Sequence, residues 1–120
     1  MSRLKKRKDF LRLSKSGRKA GTRHLLLQVA PRPTDVLIQS GPRVGLTASR
    51  RVGGAVQRKR ARRRLSSLAN QVINSHAMHD QDYVLIARRT ILDAPFSQLT
   101  RELEKVLDRL NIRRALSDSQ

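Results

Sequence analysis

Residues 43–65 read RVGLTASRRVGGAVQRKRARRRL, and they decide the fold. The first seven alternate: Val44, Leu46 and Ala48 point one way, Gly45, Thr47 and Ser49 the other. Successive strand side chains face opposite sides of a sheet, so this is a half-buried strand with a small-residue outer face. Arg50–Gly54, ending in two glycines, predicts a loop. From about Ala55 to Asn74 the apolar residues Ala61, Leu65, Leu68, Ala69, Val72 and Ile73 fall at helical spacing.

The first half of that helix is densely basic. At 100° per residue, Ala61, Leu65, Leu68 and Val72 share one side, while Lys59, Arg60, Arg63 and Arg64 fan across the other. Arg58 and Arg62 fall at the border. Like charges four apart each cost a free helix about a few tenths of a kcal/mol. The run also lies near the positive end of the helix dipole, where cations are disfavoured. A polyanion along this face reverses the sign of both effects. Arginine predominates, and its planar fork can grip a phosphate with two parallel hydrogen bonds. Gly53 and Gly54 let backbone N–H groups approach a phosphate at the helix start.

Working outward, His24–Ala30 predicts a strand ended by Pro31 and Pro33, and Val36–Gln39 a second short one. Ser40-Gly41-Pro42 is a turn signal. Lys8–Ser16 reads as a short helix, with Phe10, Leu13 and Leu11 on its apolar side and Gly17 as its stop. After a polar connection, Tyr83–Ala87 predicts a central buried strand. Pro95 suits the first turn of a last helix whose stripe is Phe96, Leu99, Leu103, Val106, Leu107 and Leu110. The order α-β-β-β-α-β-α predicts one sheet with helices packed on it, a small α/β sandwich of the α+β class. A single domain is expected over residues 1–120. Its ordered core is expected at about residues 4–112, with residues 1–7 and 113–120 frayed.

Charge supports a nucleic-acid partner. The 120 residues carry 27 Lys and Arg against 9 Asp and Glu, a net +18. Residues 1–79 hold 20 of those cations and two acids, Asp9 and Asp35; residues 80–120 hold seven of each sign. A one-signed field of this size fits a phosphate backbone better than a surface mixed for solubility. Aromatics number three, Phe10, Tyr83 and Phe96, so binding should read backbone and shape more than stacked bases. Cysteine is absent, which excludes disulfides and thiol chemistry and fits a cytoplasmic location. No apolar run is long enough for a membrane span.

No catalytic constellation stands out. His76-x-x-His79-Asp80-x-Asp82 could gather metal ligands but reads better as a polar loop before a strand. His24 stands alone, and the serines lack a His/Asp context. No metal site in the protein is expected, and any catalysis should belong to a partner.

Three stretches resemble the protein subunit of bacterial ribonuclease P. They are Leu4-Lys-Lys-Arg-Lys-Asp-Phe10 with Gly17-Arg18; residues 43–56 running into Arg58-Lys-Arg-Ala-Arg-Arg-Arg64; and Asp82-Tyr-Val-Leu-Ile-Ala-Arg88 with Phe96-x-x-Leu99. The order and spacing hold over roughly residues 4–110. The resemblance implies a sandwich like the second domain of ribosomal protein S5, with a left-handed β-α-β crossover whose helix is the basic one. It implies that a ribonuclease P RNA subunit, with Mg²⁺ held mainly by RNA, removes the 5′ leader of precursor tRNA. Arg50, Arg51, Arg58, Lys59, Arg60, Arg62, Arg63 and Arg64 would then dock on the catalytic RNA, and Phe10, Lys15 and Arg18 would belong to a leader cleft. The sequence departs from the family pattern at Lys59, Ser66, Ser14 and Ala20, where Asn, Arg and aromatics are usual. Leader stacking would therefore lean on Phe10. The competing readings are a ribosomal or general RNA-binding protein and a DNA-binding helix domain. The strand–loop–basic-helix pattern opposes the former, and the lack of a second symmetric recognition element opposes the latter.

Overall fold

The structure is a computed structural model, and it describes residues 1–33 and 41–112. Helices α1 (Arg7–Ser16), α2 (Ala55–Leu68) and α3 (Phe96–Arg109) pack on five strands: β1 (Ser2–Arg3), β2 (Arg18–Gly21), β3 (Leu25–Pro31), β4 (Arg43–Thr47) and β5 (Gln81–Ala87). The spatial order is β1-β4-β5-β3-β2. β4 runs parallel to both β1 and β5, whereas β3 is antiparallel to β5 and β2. The predicted β-α-β unit is therefore present, with α2 joining the parallel neighbours β4 and β5. Among the described residues no helix is long and apolar enough to cross a membrane.

The period-2 pattern divides the sheet into two faces. Leu25, Leu27 and Val29 of β3, Val44 of β4, and Tyr83 and Leu85 of β5 are buried in the larger core. Ala61, Leu65 and Leu68 of α2 and Leu99, Leu103 and Leu107 of α3 close over them. Among the described helices only α1 covers the opposite face, where Leu4, Leu13, Ala30 and Val84 form a smaller core with Phe10 and Ile86 against it. α2 continues past Leu68 through a π-helical turn (Ala69–Ile73) and a last helical turn to His76. Sequence periodicity places its end at nearly the same residue.

The structure departs from expectation at the chain's start and after α1. Ser2–Arg3 is not frayed: it pairs with Arg43 and Val44, and Leu4 N–H donates to Val44 O at 2.9 Å. Arg18–Gly21 forms an edge strand where no strand is predicted, because only Ala20 is apolar enough to be buried. The strand expected at Val36–Gln39 and the tail at 113–120 lie outside the described residues.

One buried carboxylate ties these elements together. Asp82, with no exposed side-chain surface, faces α1 from the start of β5. Its cross-strand neighbour Arg43 donates from Nε to Oδ1 at 2.8 Å and from Nη2 to Oδ2 at 2.6 Å. Arg12 of α1 donates to Oδ2 and, through Nη1, to Pro31 O at 3.0 Å. Arg32 Nε lies 3.6 Å from Oδ1. Burial pushes the Asp82 carboxyl up, but the hydrogen bonds and charges of Arg43 and Arg12 outweigh it and hold it below the ordinary carboxylate range.

A second constraint is steric. A Cβ on Gly45 would sit 2.6 Å from Phe10 Cζ, so any side chain at this point of β4 would force the α1 ring to shift.

Asp82→Asn should destabilise the fold by about 3 kcal/mol at neutral pH, since it leaves partly buried arginines without their counter-charge. The folded pKa is depressed, so this stability is intact above about pH 4 and is lost as pH falls through the folded value. Urea denaturation at pH 7 and pH 3 should show the gap between wild type and variant shrinking in acid. Gly45→Ala should cost about 1–3 kcal/mol by forcing the ring aside. Adding Phe10→Ala should recover part of that loss in a double-mutant cycle; strictly additive losses would show that the two residues do not press on each other.

Candidate nucleic-acid interface

The loop between β4 and α2 is anchored from below. Ala48 and Val52 are buried, and Val52 and Gly53 N–H groups donate back to Ser49 O and Arg50 O. Gly53 adopts φ +147°, open to glycine and strained for other residues. Arg58 Nη1 donates to Gly53 O at 3.1 Å and braces the loop from the first turns of α2. Gly54 caps the helix without a side-chain acceptor. With its apolar residues turned inward, the loop holds Arg50 and Arg51 outward, exposed and without a side-chain hydrogen bond or ion pair among the described residues.

On α2, Lys59, Arg60, Arg62 and Arg63 are exposed. Arg60 reaches Leu92 O at 3.3 Å; Lys59, Arg62 and Arg63 make no side-chain bond among the described residues. Arg64 departs from the predicted fan. It is half-buried and donates to Leu92 O at 3.4 Å and to Ala94 O, so it clamps α2 to the 3₁₀ turn Arg89–Leu92. Its positive charge stays local, but its fork is occupied by the protein's own carbonyls. Arg62, expected at the apolar border, is instead part of the open face. Six of the eight predicted docking residues thus form one exposed basic surface, and Arg58 and Arg64 build the scaffold beneath it.

A separate cleft of about 270 Å³ opens between α1 and the sheet. Arg7, Phe10, Leu11 and Ser14 line it from the helix; Gln28, Thr47, Val84 and Ile86 line it from β3, β4 and β5. The half-buried Phe10 ring and the exposed Leu11 give it an apolar side. Of the three residues predicted for a cleft, only Phe10 lines it. Lys15 is exposed on the last turn of α1 and lines no part of it. Arg18 donates to Leu110 O at 2.8 Å, beyond the end of α3, because β2 turns that side chain to the opposite face. The sheet-side residues escaped sequence reading, although the small outer face of β4 already pointed at Thr47.

The candidate metal motif does not assemble. Asp82 is committed to Arg43 and Arg12, and no group of three His, Asp or Glu side chains is gathered among the described residues. His24 is buried, with Nδ1 2.8 Å from Thr90 Oγ1.

Comparison with known proteins agrees with this architecture. The family model described as Ribonuclease P matches residues 1–111. The ribonuclease P protein component of Paramagnetospirillum magneticum is 44% identical over 110 residues, covering 92% of this chain and 83% of that protein. That of Brucella suis is 40% identical over 111 residues, covering 86% and 75%. The solved Staphylococcus aureus RNase P protein superposes with a TM-score of 0.75 at 25% identity, over 95% of this chain and 99% of that one. The Thermotoga maritima protein, at 20% identity, shares the fold with a TM-score of 0.72 over 91% and 97%. Sequence, fold and basic surface converge: the chain belongs to the ribonuclease P protein family.

Proposed function

We propose that this protein is the RNA-binding subunit of a ribonuclease P holoenzyme, docking on the catalytic RNA and holding the 5′ leader of precursor tRNA. The observation that carries the reading is the exposed set Arg50, Arg51, Lys59, Arg62 and Arg63, clustered at one end of α2 with no counter-charge among the described residues. Cations that compete with one another in the free protein gain most when phosphates neutralise them. The Phe10 cleft is a second, narrower surface with an apolar wall. The half-buried ring and apolar wall offer a surface against which the bases of a single strand can lie.

In this reading the protein positions RNA, and hydrolysis is performed at the RNA subunit with Mg²⁺ held there. The described protein residues gather no group of three His, Asp or Glu side chains that could hold that ion. What this chain contributes is affinity, register and a preference for substrate that still carries its leader. A cytoplasmic location follows from the same role.

Reconstitution with a bacterial-type ribonuclease P RNA at low Mg²⁺ tests the reading. Leader release at the mature 5′ end should be stimulated by the protein and absent with protein alone. A folded protein that binds RNA without stimulating cleavage would instead indicate a general RNA-binding role. Arg62→Ala with Arg63→Ala should weaken affinity for the catalytic RNA by about ten-fold and lower the log–log salt slope by about one per residue removed. Phe10→Ala should weaken binding of leader-bearing tRNA by about ten-fold, the scale of one lost base–aromatic stack. Mature tRNA should be affected little; equal losses for both substrates would remove the ring from the leader site.

A further inference from the structure

α1 separates two cavities. Arg7, Phe10, Leu11 and Ser14 border the cleft already described, whereas Lys8, Asp9 and Arg12 border a larger one of about 610 Å³ on the other flank. Six of its nine lining residues are cations, Arg3, Lys5, Lys6, Lys8, Arg12 and Arg43, with Leu4, Pro33 and the one acid, Asp9, completing the wall. Asp9 and Asp82 already serve Arg12 and Arg43. Lys5, Lys6 and Lys8 are exposed and make no side-chain hydrogen bond or ion pair among the described residues. Three unneutralised lysines around one open hollow raise each other's energy, a cost that a bound polyanion turns into a gain.

Arg3 links the hollow to the basic helix α2: it lines the hollow from β1, and its Nη2 donates to Ser66 Oγ of α2 at 2.6 Å. Ser66 stands four residues after Arg62, one turn along the same face. Cations therefore run from Arg62 and Arg63 past the Ser66–Arg3 contact, around the short β1 edge, to Lys5 and Lys8. Lysines on flexible stems at an open site suit a phosphate backbone better than a ligand needing fixed geometry.

We propose that this hollow is a second phosphate-binding surface, occupied by the backbone of the same RNA that docks on α2. The RNA then wraps the β1 edge of the sheet, while the leader cleft on the far flank of α1 stays free for substrate. The inference rests on the RNA-docking role proposed for α2.

The test compares full-length Lys5→Ala/Lys8→Ala with Arg62→Ala/Arg63→Ala and wild type. Affinity for a bacterial-type ribonuclease P RNA is measured across a salt series, and affinity of each holoenzyme for precursor and mature tRNA is measured separately. The lysine variant should bind the catalytic RNA about ten-fold more weakly, with a salt slope lower by about one per lysine, and should keep wild-type preference for precursor over mature tRNA. Loss of that preference with unchanged affinity for the catalytic RNA would overturn the proposal and give the hollow to substrate. If the α2 variant weakens binding and the lysine variant does not, the hollow takes no RNA. If neither weakens it, the α2 docking role fails and this inference falls with it.

Discussion

The buried carboxylate of Asp82 is the point on which the α1 side of the molecule depends. It sits where β4, β5, α1 and the residue just after β3 come within reach of one another, and it draws an arginine from α1, another from β4 and a third from position 32. A chain with 27 cations and 9 acids can pack arginines against a sheet only where an acid is buried to receive them. Among the described residues, the smaller core under α1 contains just four buried apolar ones. Ion pairing therefore fixes the helix where apolar area alone is thin.

That placement shapes everything α1 borders. The same helix forms one wall of the Phe10 cleft and one wall of the cationic hollow, so its distance from the sheet sets the width of both. Gly45 and Phe10 set the depth at one point, and Asp82 with Arg12 sets the lateral position. On the other side of the sheet, α3 and the larger core hold α2 firmly. Arg58 and Arg64 spend their hydrogen bonds on Gly53, Leu92 and Ala94, which leaves the neighbouring cations presented on a stiff support. Preorganised charges lose less freedom on binding than the same charges on a mobile arm.

Much of this was legible in the sequence. β4, α2, β5 and α3 are each long enough for periodicity to speak, and the alternation from Val44 to Thr47 already set Gly45 and Thr47 on the face opposite Val44; that face reads as open in sequence, but α1 covers it and Gly45 is buried. The remainder depended on tertiary pairing. β1 and β2 have two and four residues and almost no apolar content, so only their neighbours make them strands. Whether Arg62 or Arg64 points outward turned on carbonyls near position 92, which helical geometry alone does not include. Arg18 looked like part of the α1 surface until the register of β2 sent it to the other face. The Asp82 cluster gathers residues 12, 32 and 43, and spacing along the chain gives no hint of such a meeting.

The two edges of the sheet carry a further consequence. β2 presents Arg18 and Lys19, and β1 offers only Ser2 and Arg3. Open strand edges are templates for pairing with another copy, and pairing would bring these side chains to within about 5 Å of their counterparts. Short, basic edges make that encounter repulsive. The cations assigned to RNA docking in the proposed function thus also protect the free chain from aggregation, and the protection weakens as ionic strength rises.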